Sequence, residues 1–271
     1  MLSNLYKKYR YSLILLRELV ITEFKLRYQG SVLGYLWSLL KPLFLFVILY
    51  FVFVYFMRVG ADIPDWPVAM LLGIVLWTFF AEVTSNGLNS IVERGDVIRK
   101  INFPKYVIVF ASSISALINL AINFVVITIF MIISGVDMSW SALLAPVFII
   151  ELFVLGVGVA FILSTLQVRM RDTSYIWEIL MQALFYGSVV LYPITLVINQ
   201  SALLAKIMLL NPIAQVIQDV RHVLVNDANL TLFSLTGNYW WYLIPVGLVV
   251  LIAGLGALYF KRRSPYFAEE V

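Results

Sequence analysis

The sequence contains no cysteine and a single histidine, His222. The absence of cysteine excludes disulfides, thiolate metal sites and a thiol nucleophile, and one histidine cannot build a multi-histidine metal site. Charged residues are also scarce, at 13% of 271 residues, which is well below the roughly 25% of a soluble domain. Because 62% of the residues are hydrophobic, most of the surface must face something other than water.

The apolar runs are long and continuous, which indicates helices, since the strands of a membrane barrel read as short alternating segments. A membrane helix needs about 20 mainly apolar residues. Six stretches qualify: 36–57, 68–90, 106–134, 141–167, 175–197 and 239–260. We therefore predict an all-α membrane protein whose six transmembrane helices lie within a domain of residues 31–260.

The basic residues are segregated along the chain. Sixteen of the 19 Lys and Arg residues precede residue 42 or fall in the segments 94–105, 169–171 and 261–263. Only Arg58, Lys206 and Arg221 lie between the other span ends. Since loops rich in Lys and Arg stay in the cytoplasm, both termini are predicted to be cytoplasmic, with 261–271 as a short tail.

Two segments depart from a plain six-helix plan. Residues 5–28, within an N-terminal part of 1–30, carry a basic face and an apolar face at helical spacing. This pattern predicts an amphipathic interface helix on the cytoplasmic membrane surface. In 193–222, the apolar run is about half a span long and is interrupted by Asn211 and Pro212, which predicts short re-entrant or interfacial outer helices.

Several short motifs stand at the ends of the predicted spans. They are R-Y-Q-G-S-V-L-G-Y-L-W-S-L-L-K-P at 27–42, E-R-G-D-V-I-R-K-I-N-F-P at 93–104, R-M-R-D at 169–172, L-Y-P at 191–193, and N-P at 211–212 followed by Arg221. In this order and spacing they resemble the type-2 ABC exporter permeases, in the branch that exports lipid-linked polysaccharides such as O-antigen and teichoic acid. The resemblance covers essentially the whole chain.

The resemblance implies a homodimer in the bacterial cytoplasmic membrane, with two separate nucleotide-binding ATPase subunits docked beneath a coupling helix at 93–103. The chain has no G-x-x-x-x-G-K-[ST] phosphate loop, so we predict a transport subunit rather than an enzyme, without a cofactor of its own. ATP and Mg²⁺ would bind to the partner. A solvated basic loop is the alternative for the predicted ATPase contacts, which are Glu93, Arg94, Asp96, Val97, Ile98, Arg99, Lys100 and Ile101.

Two further sets of candidate residues concern the cargo. Basic side chains at the cytoplasmic face suit a pyrophosphate-linked lipid head group, and the candidates for it or for a gate are Lys25, Arg27, Lys41, Arg169, Arg171 and Asp172. Aromatic faces let a sugar chain slide, and polar groups inside spans are functional candidates by default. The candidate path residues are Tyr35, Phe44, Phe46, Trp77, Phe80, Glu82, Asn86, Trp177, Phe185 and Tyr186, with Glu151, Asn89, Asn119, Asn123, Glu178 and Gln182 as further polar groups. Helix packing and lipid contact are the alternatives for each.

Smaller patterns predict packing and membrane boundaries. Small residues let helices approach closely, and the candidates are Gly156, Gly158, Gly254 and Gly256. Aromatic residues near span ends predict an interface belt, formed by Trp66, Trp140 and residues 239–242.

Other functions stay open. A type-2 permease for a drug or lipid often has a large extracellular domain between its first two spans, whereas only 58–67 separate them here. A membrane transferase for glycans or lipids needs a nucleophile or base near a span end, usually acidic clusters or a catalytic histidine, and this chain offers one histidine and no paired carboxylates on a loop. An ion-driven secondary transporter is disfavoured by the absence of inverted repeats.

Overall fold

The computed structural model describes residues 2–27, 30–34, 36–101, 103–137 and 139–271, with the backbone alone at 2–11, 24, 26 and 27. No strand occurs within these ranges. Two of the candidate residues, Tyr35 and the side chain of Arg27, lie outside what the structure describes.

The described chain is a succession of helices. They are α1 (Leu2–Arg27), α2 (Leu36–Leu49, continued by a π-helical stretch Tyr50–Phe56), α3 (Trp66–Glu93), α4 (Gly95–Lys100), α5 (Tyr106–Ser134), α6 (Ala145–Arg169), α7 (Thr173–Gly187), α8 (Ile194–Gln200), α9 (Ala202–Leu209), α10 (Pro212–Leu224), α11 (Leu232–Thr236), α12 (Leu243–Arg263) and α13 (Phe267–Glu270). Short 3₁₀ turns lie at Trp140–Leu144, Tyr239–Tyr242 and Ser264–Tyr266.

Five helical segments in the described part are long and apolar enough to cross a membrane. They are Leu36–Phe56, Trp66–Glu93, Tyr106–Ser134, Trp140–Arg169 and Tyr239–Glu270. They agree with the first four and the last of the predicted spans, and the prediction of an all-α membrane protein is confirmed. A sixth candidate is the pair α9 and α10, which bend by 97° relative to each other. The bend lies at Asn211 and Pro212, where the Asn211 side chain accepts a hydrogen bond from the Ile213 amide and caps α10.

The segment predicted as a fifth span, 175–197, differs from the prediction. Helix α7 has 15 residues and ends at Gly187, so it is about 22 Å long, shorter than the hydrocarbon core. The chain then turns at Val189, whose φ of 57° is rare for a β-branched residue. A buried cation explains this turn, because the carbonyls of Val189 and Val190 both accept hydrogen bonds from Arg221.

Arg221 ties three segments together at the end of the bundle where α7 stops. Its side chain is fully buried. Besides its bonds to the turn, Arg221 Nε donates to the carbonyl of Ala69 on α3 at 2.8 Å, and its guanidinium lies 5.0 Å from the centre of the Trp66 ring. Trp66 is itself buried, so the prediction that it belongs to an interface belt is wrong, whereas Trp140 is exposed as a belt residue would be.

Helix α3 lies at the centre and packs against α5 and α6, and α12 packs against α6. The α6–α12 contact brings two backbones together. A Cβ atom on Gly256 would collide with the Gly158 carbonyl, and one on Gly158 would lie 2.6 Å from Ala253 Cα. Glycine is therefore required at both positions. Gly156 is also tightly packed, against Val83, but Gly254 has no neighbour within 4 Å, so the prediction of close approach fails there.

Helix α1, Leu2–Arg27, covers nearly all of the segment 5–28 for which a helix was predicted. It packs on the first turns of α5, where Leu13, Leu16 and Tyr106 line a small cleft. Its Glu23 carboxylate forms an ion pair with Arg94 at 2.8 Å. Its position on the membrane surface stays a prediction.

Candidate functional site: a polar groove along helix α3

Helix α3 carries a polar stripe on one face. Thr78, Glu82, Asn86, Asn89 and Glu93 follow one another at intervals of three or four residues, which places them on the same side of a helix. The stripe is about 22 Å long at the rise of an α-helix. Three neighbouring cavities lie along it.

The first cavity, of about 780 Å³, lies between α2, α3 and α7. It is lined by Leu45, Trp77, Thr78, Ala81, Ser85, Leu88, Asn89, Ser174, Trp177, Glu178, Met181, Gln182, Phe185 and Tyr186. Four of the predicted path residues therefore meet here. The Trp77 and Phe185 rings pack edge to face with their centres 5.4 Å apart. The buried Trp177 Nε1 has no hydrogen-bond partner among the described residues.

The second cavity, of about 740 Å³, lies between α2, α3 and α5 and is more polar. It is lined by Ser31, Trp37, Ser38, Lys41, Pro42, Thr78, Ala81, Glu82, Asn86, Asn119 and Asn123. Asn119 Nδ2 donates to Glu82 Oε1 at 2.7 Å. Asn86 Nδ2 is buried and has no partner in the described part of the chain. Because Thr78 and Ala81 line both cavities, the two are neighbours around α3.

A third cavity, of about 470 Å³, continues this path to the end of α3. It shares Asn86 with the second cavity and Asn89 with the first, and it ends at Glu93 and Arg94. We call the three cavities together the α3 groove. The groove reaches the end of the bundle that carries 94–101, 103–105, 169–172 and 261–271, which we call the basic end.

Several predicted residues lie outside the α3 groove. Phe46 and Phe80 are buried in helix packing, with the Phe46 ring 6.0 Å from that of Phe130, and Phe44 is exposed on α2. Of the predicted head-group residues with described side chains, Lys41 lines the groove. The remaining ones, Lys25, Arg169, Arg171 and Asp172, are exposed and line none of the three cavities.

Sequence reasoning did not single out some of the groove residues. Thr78 and Ser85 are seven residues apart on α3, and this small-polar spacing was the available signal. Trp37 and Ser38 stand within the motif at 27–42, and they line the second cavity.

The predicted coupling segment forms a short helix at the basic end. This helix is α4, Gly95–Lys100, which is shorter than the predicted 93–103. Arg94 has a non-helical backbone and separates α4 from α3, and the extended backbone of Ile101 ends α4. Asp96, Arg99 and Lys100 are exposed, as is Ile101. Ile98 is 4% exposed and packs in the chain's own core, so it is not free to insert into a partner.

Within the described residues, no group of His, Cys, Asp or Glu side chains is arranged to hold a metal ion. The fold defines a multi-pass helical membrane protein. Residues 14–225 match the ABC-2 type transporter family, and the chain belongs to that family.

Curated relatives extend this similarity to nearly the full chain. The O-antigen export system permease protein RfbA of Klebsiella pneumoniae is 29% identical over 267 residues, covering 97% of this chain and 98% of the relative. The O-antigen export system permease protein RfbA of Myxococcus xanthus is 29% identical over 188 residues, covering 69% and 72% of the two chains.

Proposed function

We propose that this chain is the permease subunit of an ATP-driven exporter that moves a lipid-linked polysaccharide of the O-antigen or teichoic-acid type across the cytoplasmic membrane. The observation that carries the proposal is the end-to-end similarity to an O-antigen export permease over 97% of the chain. In this proposal both termini are cytoplasmic and the basic end faces the cytoplasm.

The chemistry of the α3 groove supports a glycan as cargo. The rings of Trp77, Trp177 and Tyr186 line the first cavity, and sugar C–H surfaces pack on aromatic rings without demanding one hydrogen-bond geometry. Trp177 Nε1 and Asn86 Nδ2 are donors without a partner among the described residues. Buried donors are normally satisfied, so sugar hydroxyls or water are suitable partners for these two groups.

The exposure of α2 and α7 supports a homodimer. Both helices form walls of the first cavity, and both expose large apolar side chains, such as Ile48 and Ile179. A second copy placed against these helices would close the groove into a channel, and closed two-fold symmetry is the commonest arrangement of homo-oligomers.

The basic end supports the remaining parts of the proposal. Arg169, Arg171 and Lys25 are exposed there and Lys41 lines the groove, so a pyrophosphate-linked head group would meet cations before the glycan enters. Two nucleotide-binding ATPase subunits, which bind ATP and Mg²⁺, would dock at α4. A drug or a lipid as cargo is the second candidate, and its support is the apolar part of the first cavity.

The test is the ATPase activity of the complex between this chain and a co-expressed nucleotide-binding subunit, measured in lipid with and without a lipid-linked glycan. We expect a stable complex whose activity rises with the glycan. Loss of this rise in Trp177→Ala would support the groove as the path. The control is Trp140→Ala, because Trp140 is exposed and lines none of the three groove cavities. Stimulation by a drug but not by the glycan would favour the second candidate, and a chain that recovers no ATPase and modifies the glycan itself would overturn the proposal.

A further inference from the structure

The last eight residues of the chain, 264–271, fold back against the coupling helix α4. Phe267 on α13 is 0% exposed. Its ring lies 5.2 Å from that of Phe260, which in turn lies 4.8 Å from that of Phe161 on α6. Ile98 of α4 belongs to the same apolar cluster. The segment is therefore anchored in the core and packs against α4.

The contact between 264–271 and α4 is close. A Cβ atom on Gly95, the first residue of α4, would collide with Val271 Cγ1. The same hypothetical Cβ would lie 3.5 Å from Val271 Cβ. On the other side, Arg94 is held by Glu23 of α1 at 2.8 Å. Helix α4 is thus fixed by segments from both ends of the chain.

These contacts stabilise a helix that is too short to be stable by itself. Helix α4 has six residues, and isolated helices shorter than about 12 residues are only marginally stable in water. A helix that transmits a push from a partner must move as part of a larger rigid unit. The core contact of Phe267 supplies that unit by joining α4 to α6 and α12.

The outward side of this unit carries charges from both segments. Asp96, Arg99 and Lys100 are exposed on α4, and Glu269 and Glu270 are exposed on α13. Since α13 contacts α4, these five side chains belong to one mixed-charge surface at the basic end. Such a surface suits a polar protein partner that approaches α4, because complementary charges orient docking.

We propose that residues 264–271 form part of the docking surface for the partner ATPase, with Phe267 positioning α4 and with Glu269 and Glu270 extending the contact area. The identity of the partner rests on the proposed function. The packing of 264–271 on α4 does not, and the two can be tested separately.

The packing is tested by a disulfide in this naturally cysteine-free chain. A Gly95→Cys/Val271→Cys pair would place its Cβ atoms at about the 3.5–4.5 Å that disulfides require. We expect an intramolecular disulfide on mild oxidation, detected by mass spectrometry, and none in either single variant. Two free thiols in the oxidised double variant would overturn the proposed packing.

The docking role is tested by labelling single cysteines with a maleimide, with and without the co-expressed ATPase. We expect Glu269→Cys to react about tenfold more slowly in the complex, as a residue covered by an interface would, while Asn238→Cys at the opposite end of the bundle reacts at the same rate in both. Equal rates for Glu269→Cys in an intact complex would overturn the docking role and leave the proposed function standing. Failure of the unaltered chain to recover any ATPase would instead overturn the proposed function.

The positioning role of Phe267 is tested by Phe267→Ala, with Leu258→Ala, an exposed position on α12 outside 264–271, as the control. We expect Phe267→Ala to lower glycan-stimulated ATPase activity about tenfold, the loss typical of a buried anchor. The amount of monodisperse protein recovered from the membrane should be unchanged. The disulfide-linked Gly95→Cys/Val271→Cys chain should restore the activity in the Phe267→Ala background, since it holds α4 by another route. Activity within twofold of the unaltered chain in Phe267→Ala would overturn this role.

Discussion

Helices α2 and α3 are both apolar enough to span a membrane, yet the structure uses them in opposite ways. In α3, 78% of the most apolar stretch is buried in the protein, against 11% in α2. The more buried helix is the one that carries the polar stripe from Thr78 to Glu93. In a membrane, apolar side chains are equally well placed against lipid and against protein, so polar contacts and close packing decide which helix lies inside.

The polar stripe also accounts for the position of α3 beside the candidate groove. A polar stripe inside a membrane is stable only where protein or water faces it. Helix α3 meets this condition by placing its stripe towards three cavities and its other sides against α5 and α6. Helix α2 lines two of these cavities and leaves most of its apolar stretch exposed to lipid or to a second copy.

The largest expected effect concerns the anchor at one end of α3. Arg221→Met should destabilise the fold by about 3–5 kcal/mol, because it leaves the carbonyls of Ala69, Val189 and Val190 without their shared donor. Thermal unfolding in detergent measures this. Lys206→Met removes a partly exposed cation near the same end and should change the midpoint little. An equal loss of stability in both variants would contradict the structural role of Arg221.

A smaller loss is expected in the α6–α12 contact. Gly256→Leu should cost about 1–3 kcal/mol through overpacking, since its side chain would enter the space of the Gly158 carbonyl. Gly254→Leu is the matched control on the same helix, because nothing lies within 4 Å of a Cβ there. The two variants should differ in unfolding midpoint, and indistinguishable midpoints would count against the close approach.

Within the polar stripe, stability and transport should separate. Asn119→Leu breaks the 2.7 Å bond to Glu82 and should cost about 1 kcal/mol, a typical value for a hydrogen bond between membrane helices. Asn86→Leu removes a donor that has no partner among the described residues, so it should leave stability unchanged while lowering glycan-stimulated ATPase activity. If Asn86→Leu keeps full stimulation, the stripe is a packing feature rather than a path.

The smallest effect on stability is expected at an exposed position on α2. Ile48→Cys should change the unfolding free energy by less than about 0.5 kcal/mol, as exposed substitutions do. In the proposed homodimer it should form a cross-link between copies in the membrane, whereas Ile133→Cys, which is also exposed but lies on α5, should not. The reverse pattern would place the dimer contact on another face.

Some of the predicted path residues line the α3 groove and others do not, although the same sequence pattern identified both. Trp77, Glu82 and Asn86 were identified from their position within a span, and they line the α3 groove. Phe46 and Phe80 were also identified as aromatic residues within a span, but they pack into the core. An aromatic ring within a span reads the same whether it faces a cavity, lipid or another helix, so the sequence pattern cannot separate these positions.

Composition and the lengths of apolar runs were sufficient to establish the membrane class, five of the spans and the short helices around Asn211 and Pro212, because hydrophobic length and helix punctuation are local properties of the chain. Tertiary structure decided where α7 ends, that Ile98 faces inwards, and that Trp66 is buried. Each of these depends on a contact with a residue distant in sequence, such as Arg221 with the turn at Val189. Apolar periodicity reports which side chains avoid water, but in a membrane it does not distinguish lipid from protein, and that choice is made when the helices pack.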